Sequence, residues 1–336
     1  MLSLFDSKVD ISFKINNIIT GFFHVFALRI NWFVFFNISM IFCSLCQVTH
    51  SFSCKFVSLY TLKVKKTLYN IIRMNKVVGK EHFSENVIKL VVEAPLIARS
   101  RKAGHFVIVR VGEKGERIPL TIAGADVEKG TIDLVIQSVG KSSKKICELN
   151  EGDYITDVVG PLGQATHIEK VGTVVCAGGG VGVAPLYPIV DAFHKAGNRV
   201  IVVLAARNKD LVIMEEQMRA SSDEVVIMTD DGSYGTKGLV TNGVESIINR
   251  EKVDMCVTIG PAIMMKFVSE LTKKYKVPTV ASLNTIMVDG TGMCGACRVT
   301  VDNKTKFVCI DGPEFDAHLV DFDEMMMRQR SYKSME

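Results

Sequence analysis

TVVCAGGGVGVAP, from Thr173 to Pro185, runs from five apolar-to-small residues into a cluster of glycines and then opens a helical pattern. An uninterrupted apolar run such as TVVCA suits a strand buried on both faces of a parallel sheet. Glycines directly after it let the backbone approach a pyrophosphate, and the helix N-terminus adds partial positive charge there. The spacing departs from GxGxxG, and a glycine-rich strand-to-helix turn can also serve packing alone. The downstream pattern favours the first use. RVIVVLAA (Arg199 to Ala206), VVIMTDD, MCVTIG and TVASLN repeat the apolar theme, with helical patterns LYPIVDAFHKAG and AIMMKFVSELTKKY between them. Strands alternating with helices predict a doubly wound α/β domain over residues 169–283.

Upstream the period changes. Between Asn86 and Gly160 lie NVIKLVVEA, HFVIVRVG, GERIPLTIA, GTIDLVIQSVG and GDYITDVVGP, short alternating segments separated by turn residues. They predict a small antiparallel barrel over residues 74–168, interrupted by one helix from Ser142 to Leu149 and closed by a turn at Gly160-Pro161-Leu162-Gly163. Residues 284–336 break the pattern again with three cysteines, many glycines and a polar, Met-rich tail. That is too little for an independent apolar core, and a bound inorganic centre would supply the missing stability.

The chain has 336 residues, enough for two or three domains. A net charge of +4 is too small and dispersed for a nucleic-acid surface, so the expected partners are small molecules and another protein. Nine cysteines over this length do not make a secreted disulfide framework, which predicts a reducing, cytoplasmic setting. Residues 1–73 are unlike the rest, and the run from Ile30 to Cys46 is a marginal membrane span carrying Asn31, Asn37, Ser39 and Ser44. The favoured expectation is an upstream extension with the working protein beginning at Met74; the alternative is an anchor through residues 20–46.

Three further motifs carry chemistry. DGTGMCGAC, Asp289 to Cys297, with Cys309 beyond it, offers thiolates on a glycine-rich loop whose N–H groups can face cluster sulfurs. Asp289 stands five residues before Cys294, where a first ligand belongs. A zinc site completed by Asp289 or His318, or plain thiols, are the competing readings. RIPLTI, with Arg117, Pro119, Leu120 and Thr121, followed by Gly140, Ser142 and Ser143 at a helix start, could hold a flavin ring and its pyrophosphate; each piece alone is an ordinary strand or cap. Arg207 ends the second parallel strand where an acidic residue would hold an unphosphorylated ribose, which favours a 2'-phosphate or makes it a surface residue. Asp230 and Asp231 are candidates for a sugar hydroxyl or an Asp-Gly turn.

In order, RIPLTI, GGGVGVAP and IGPAIMM (Ile259 to Met265) resemble the ferredoxin-NADP reductase superfamily. The cysteine loop resembles the branch holding dihydroorotate dehydrogenase electron-transfer subunits and the small subunit of NADH-dependent ferredoxin:NADP oxidoreductase. The former type uses four cysteines; Asp289 in place of the first resembles the latter, over Met74 to about Arg330. The resemblance implies FAD on Arg117, Pro119, Leu120, Thr121, Gly140, Ser142 and Ser143. It implies NAD(H) on Gly179, Gly180, Gly182, Pro185, Gly260, Pro261 and Met264, with NADP(H) left open by Arg207. It further implies a [2Fe-2S] cluster on Asp289, Cys294, Cys297 and Cys309, and no side-chain acid or base. The implied partner is a larger flavin and [4Fe-4S] subunit akin to the glutamate synthase small chain, with ferredoxin served indirectly. Two alternatives stand beside this: the same scaffold serving dihydroorotate or sulfide oxidation, and a zinc-stabilised nucleotide-binding regulator.

Overall fold

Alternation builds the first sheet. Strand β1 (Val77–Ser84) pairs with β2 (Val87–Glu93), where Ile88, Leu90 and Val92 turn inward while Lys89, Val91 and Glu93 stay partly exposed. In the computed structural model, which describes residues 75–330, these belong to one compact unit, Arg73–Glu336. A short helix α1 (Pro95–Ser100) follows, with Pro95 in its first turn where a missing N–H costs nothing. Then come β3 (Phe106–Arg110), β4 (Ile118–Asp126), β5 (Thr131–Gln137), helix α2 (Lys141–Cys147) and β6 (Asp157–Leu162). The antiparallel order is β1-β2-β5-β4-β3-β6. Ile132, Leu134 and Ile136 meet Leu90, Val107, Val109 and Ile122 inside, and Ile146 of α2 joins that core.

The turn expected at Gly160-Pro161-Leu162 is a strand. β6 continues through Pro161, and Leu162 pairs with Phe106. β6 is an edge strand in this sheet, where proline's missing donor breaks no ladder. Neither β1 nor α1 is predicted by the sequence pattern, since VVGKEHFS carries little apolar alternation and buries only Val77 fully, and PLIARS is only six residues long.

The second sheet uses β7 (Thr173–Gly179), helix α3 (Val183–Lys195), β8 (Arg199–Ala206), helix α4 (Glu215–Ala220), β9 (Glu224–Thr229), β10 (Thr236–Lys237), helix α5 (Val240–Arg250), β11 (Met255–Ile259), helix α6 (Ala262–Lys274) and β12 (Thr279–Ser282). Its order is β10-β9-β8-β7-β11-β12, parallel throughout, which is the doubly wound arrangement. Val174 to Ala177 and Val200 to Val203 are fully buried because helices cover both faces. Helix α3 drives Leu186, Ile189, Val190 and Phe193 into a core that also contains Val87, Ala123 and Val135 of the first sheet. One helix therefore fixes the two modules against each other. Helices α5 and α6 cover the opposite face through Val244, Ile247 and Val268.

The C-terminal part lacks a core of its own. Hairpin β13 (Arg298–Val301) and β14 (Lys304–Phe307) turns through Asp302 and Asn303, both at positive φ, as a two-residue hairpin requires. Helix α7 (Val308–Asp311) leads to β15 (Glu314–Asp316), which adds an antiparallel edge to β12, and the chain ends in α8 (Phe322–Arg330). Val299, Val308, Phe322 and Met325 share one core with Phe106 and Ile108 of the first sheet and Met265 of α6. Among the described residues no helix is long and apolar enough to cross a membrane, and the run Ile30 to Cys46 lies outside them.

Candidate functional site

A cavity of about 790 Å³ opens between the two sheets at the C-terminal ends of the parallel strands. This is the crevice where open α/β sheets hold ligands. Pro119, Leu120 and Thr121 of β4 line one side with Phe106, Val135 and Gln137. Gly179, Gly180, Gly182 and Pro185 line the other, with Gly260, Pro261 and Met264 at the start of α6.

The glycines are there for space. A Cβ at Gly182 would lie 2.6 Å from the Ile259 carbonyl oxygen and 2.8 Å from the Gly260 Cα, so the loop after β7 can rest on the loop after β11 only without one. Gly180 has φ +56 and open space where its side chain would be, leaving its backbone free to face a ligand. Exposed Leu239, Ile263 and Phe267 form an apolar rim suited to flat aromatic rings. The cavity thus fits a flavin and a nicotinamide together: a strand edge with a hydroxyl on one side and a glycine-lined helix N-terminus on the other.

Other expected contacts lie elsewhere. Arg117 reaches Asp157 at 3.9 Å and is not among the residues lining the cavity. Ser143 is spent on its own helix, its hydroxyl accepting from the N–H groups of Val139 and Gly140 at 3.0 Å each and donating to the Gly140 carbonyl. Ser142 donates to the Glu116 carboxylate. Gly140, Ser142 and Ser143 therefore stand beyond the lining, which stops at Gln137 on that strand. Arg207 lines the cavity, and so does Asp230. Asp231 does not; its carboxylate accepts from the Ser233 N–H at 2.9 Å, and that bond holds it below the usual carboxylate range. Of the two aspartates, Asp230 lines the cavity and Asp231 is engaged in the turn. Phe106, Gln137, Met287 and Pro313 also line the cavity. They come from four separate segments that only tertiary packing brings together.

The cysteine loop packs beside this cavity. Gly290 lies so close to Ile108 and Leu162 that a Cβ would stand 2.8 and 2.7 Å from them, and Met287 belongs to both loop and cavity wall. The four expected ligands form two pairs. Cys294 donates its thiol to Asp289 Oδ1 at 3.4 Å, and the Cys297 and Cys309 sulfurs are 3.2 Å apart. Asp289 also accepts from the N–H groups of Thr291 at 3.0 Å, Met293 at 3.2 Å and Cys294 at 3.1 Å, which keeps it ionised to lower pH. Cys297 and Cys309 are buried while Cys294 is exposed. Burial and the Cys297 contact push the Cys309 thiol up to about 12.

Among the described residues no three His, Cys, Asp or Glu side chains converge on one ion. A mononuclear zinc site wants four ligands about one point, whereas a two-iron cluster takes two protein ligands at each iron. Two donor pairs, three of the residues on a loop turned by Gly292 at φ +85 and Cys309 on α7, suit an iron-sulfur cluster better than a single zinc ion. His318 is not available to complete a zinc site; its Nε2 lies 3.1 Å from the Thr272 hydroxyl.

Comparison with known proteins agrees with this division of labour. Residues 74–167 match the oxidoreductase FAD-binding domain, 176–270 the oxidoreductase NAD-binding domain, and 284–321 the iron-sulfur cluster binding domain of dihydroorotate dehydrogenase B. The fold and site define a flavin- and nicotinamide-dependent oxidoreductase subunit carrying an iron-sulfur domain. A Thermotoga maritima protein described as a dihydroorotate dehydrogenase B (NAD(+)) electron transfer subunit homolog is 46% identical over 263 residues, 78% of this chain and 93% of its own. An uncharacterized Clostridium beijerinckii protein is 50% identical over 272 residues, covering 78% and 92%. A solved NADH-dependent reduced ferredoxin-NADP oxidoreductase structure, described in terms of flavin-based electron bifurcation, superposes with a TM-score of 0.76 at 45% identity, covering 78% of this chain and 95% of that one. The chain belongs to the dihydroorotate dehydrogenase B electron-transfer subunit family, within the ferredoxin-NADP reductase superfamily.

Proposed function

We propose that this chain is the small subunit of an NADH-dependent ferredoxin:NADP oxidoreductase, carrying FAD and a [2Fe-2S] cluster and delivering electrons to a larger flavin and iron-sulfur subunit. The observation that carries the reading is the pairing of Asp289 with Cys294 and of Cys297 with Cys309 beside a cavity lined by both nucleotide-binding modules. Asp289 in the first ligand position favours this partner over the dihydroorotate-oxidising one, although relatives named for the latter keep it as the second reading.

When bound, the flavin supplies the conversion between two-electron hydride chemistry and one-electron transfer. The chain's own residues set the geometry. Thr121 and the strand around Pro119 present the β4 edge to the ring, and the Gly179–Pro185 loop presents N–H groups to a pyrophosphate. Met264 and Pro261 would stand behind a nicotinamide and help keep water from its ring. Asp230 would accept from a ribose hydroxyl; the NADH-dependent solved relative at 45% identity supports NADH, and Arg207, which would face the adenosine end, leaves NADPH as the alternative.

Copurification from cells expressing the full chain tests the partner. A larger flavoprotein with two nucleotide-binding regions supports the reading; a dihydroorotate-oxidising barrel in its place selects the second.

A further inference from the structure

A second cavity, of about 240 Å³, lies between helix α8 and the far side of the cysteine loop. Thr285, Arg298, Arg328 and Gln329 supply its polar lining over an apolar floor of Ile286 and Met325. Thr285 is 9% exposed, and its hydroxyl has no hydrogen-bond partner. Each arginine gives one N–H to a loop carbonyl, Arg298 to Gly295 at 3.2 Å and Arg328 to Ala296 at 3.4 Å. A guanidinium has five donors, so most remain uncommitted. Neither arginine has an ion pair among the described residues, and no carboxylate lines the cavity.

We propose that this cavity binds a tetrahedral oxyanion of the phosphate class, held by the Arg298 and Arg328 forks. Planar guanidinium forks match such anions with two parallel bonds, and the charge assistance roughly doubles each bond's strength. The volume exceeds the roughly 30 Å³ of a water several-fold, which leaves room for the anion and bridging waters. The oxyanion could be free inorganic phosphate or the monoester group of a small nucleotide. An acidic side chain from a partner protein would be a different occupant.

The test uses the full purified chain, titrated with inorganic phosphate, with adenosine monophosphate, and with chloride at matched ionic strength. Because the large cavity also attracts phosphate groups, hydrogen exchange locates the binding. The expected result is saturable phosphate binding that slows exchange in residues 285–298 and in α8, with chloride inactive. Arg298→Gln and Arg328→Gln should each weaken binding at least tenfold. Tighter binding of the monophosphate with the same footprint would identify a nucleotide source; equal or weaker binding, the free ion. Exchange slowed only in the Gly179–Pro185 loop, unchanged affinity in folded variants, or no saturable binding to the isolated chain would overturn the proposal; the last would leave a partner's carboxylate as the occupant.

Discussion

Asp289 can be a cluster ligand or merely the cap of its own turn, and its hydrogen bonds allow these to be separated. Asn keeps one oxygen, enough for the Met293 and Cys294 N–H groups, but gives up the acceptor for the Thr291 N–H and the charge that an iron requires. Asp289→Asn is expected to fold with a melting temperature within a few degrees of the parent yet to lose most of its bound iron; unchanged iron content would assign Asp289 to capping alone. Asp289→Cys is expected to keep the cluster and shift its potential, because a thiolate replaces a harder ligand. Glu314 gives a pH prediction. Burial raises its carboxyl from 4.5 to about 7, opposed only by the Thr166 hydroxyl at 2.6 Å; the buried Cys176 thiol is its other ionisable neighbour. Below pH 4.5 both folded and unfolded chains hold the proton. Between 4.5 and 7 only the folded chain does, so stability falls as pH rises and levels off above 7, a loss of roughly 3 kcal/mol. Glu314→Gln should flatten that slope in urea unfolding measured from pH 4.5 to 8.5. Nothing in the sequence marked Glu314, since its environment is assembled from β15, the segment before β7 and β7 itself.

The βα unit around Thr173 to Lys195 was legible because every local preference agrees: a buried apolar run, a glycine turn, an amphipathic helix. Helices α4 and α5 and strand β1 were not. Glu215–Ala220 is only six residues long, and VTNGVESIINR carries Asn and Gly in its first turn, where capping by Asn242 outweighs propensity. Likewise GPLG carried turn chemistry that the edge of a sheet overrode. The glycine loop supplies a sharp prediction. Gly182→Ala must displace the Ile259–Gly260 backbone, so NADH affinity in a fluorescence titration should fall at least tenfold, whereas a packing-only role would lower stability and leave affinity intact. Phe193→Ala, in the helix that clamps both modules, should cost about 3 to 5 kcal/mol and weaken FAD retention as well.

At the scale of the whole molecule, the core inside the first sheet and those on the two faces of the second follow from sequence period, while the core beneath the cysteine loop does not. That one joins Phe106, Met265, Met287, Cys297 and Cys309 from three modules, which is why the cavity walls Phe106, Met287 and Pro313 could not be found by motif. The same sharing explains how so short a C-terminal segment stays folded: it borrows the barrel and the last parallel strand. Chelation of the metal should therefore lower the melting temperature of the whole unit, not of residues 284–330 alone, and calorimetry should show a single transition that shifts downward by several degrees. The direct test of the central claim is electron paramagnetic resonance with iron, sulfide and flavin analysis on the full chain purified without oxygen. The account predicts about two irons, two sulfides and one FAD per chain, with a paramagnetic signal appearing on dithionite reduction; zinc in the site, or iron-free protein with no signal, would contradict it.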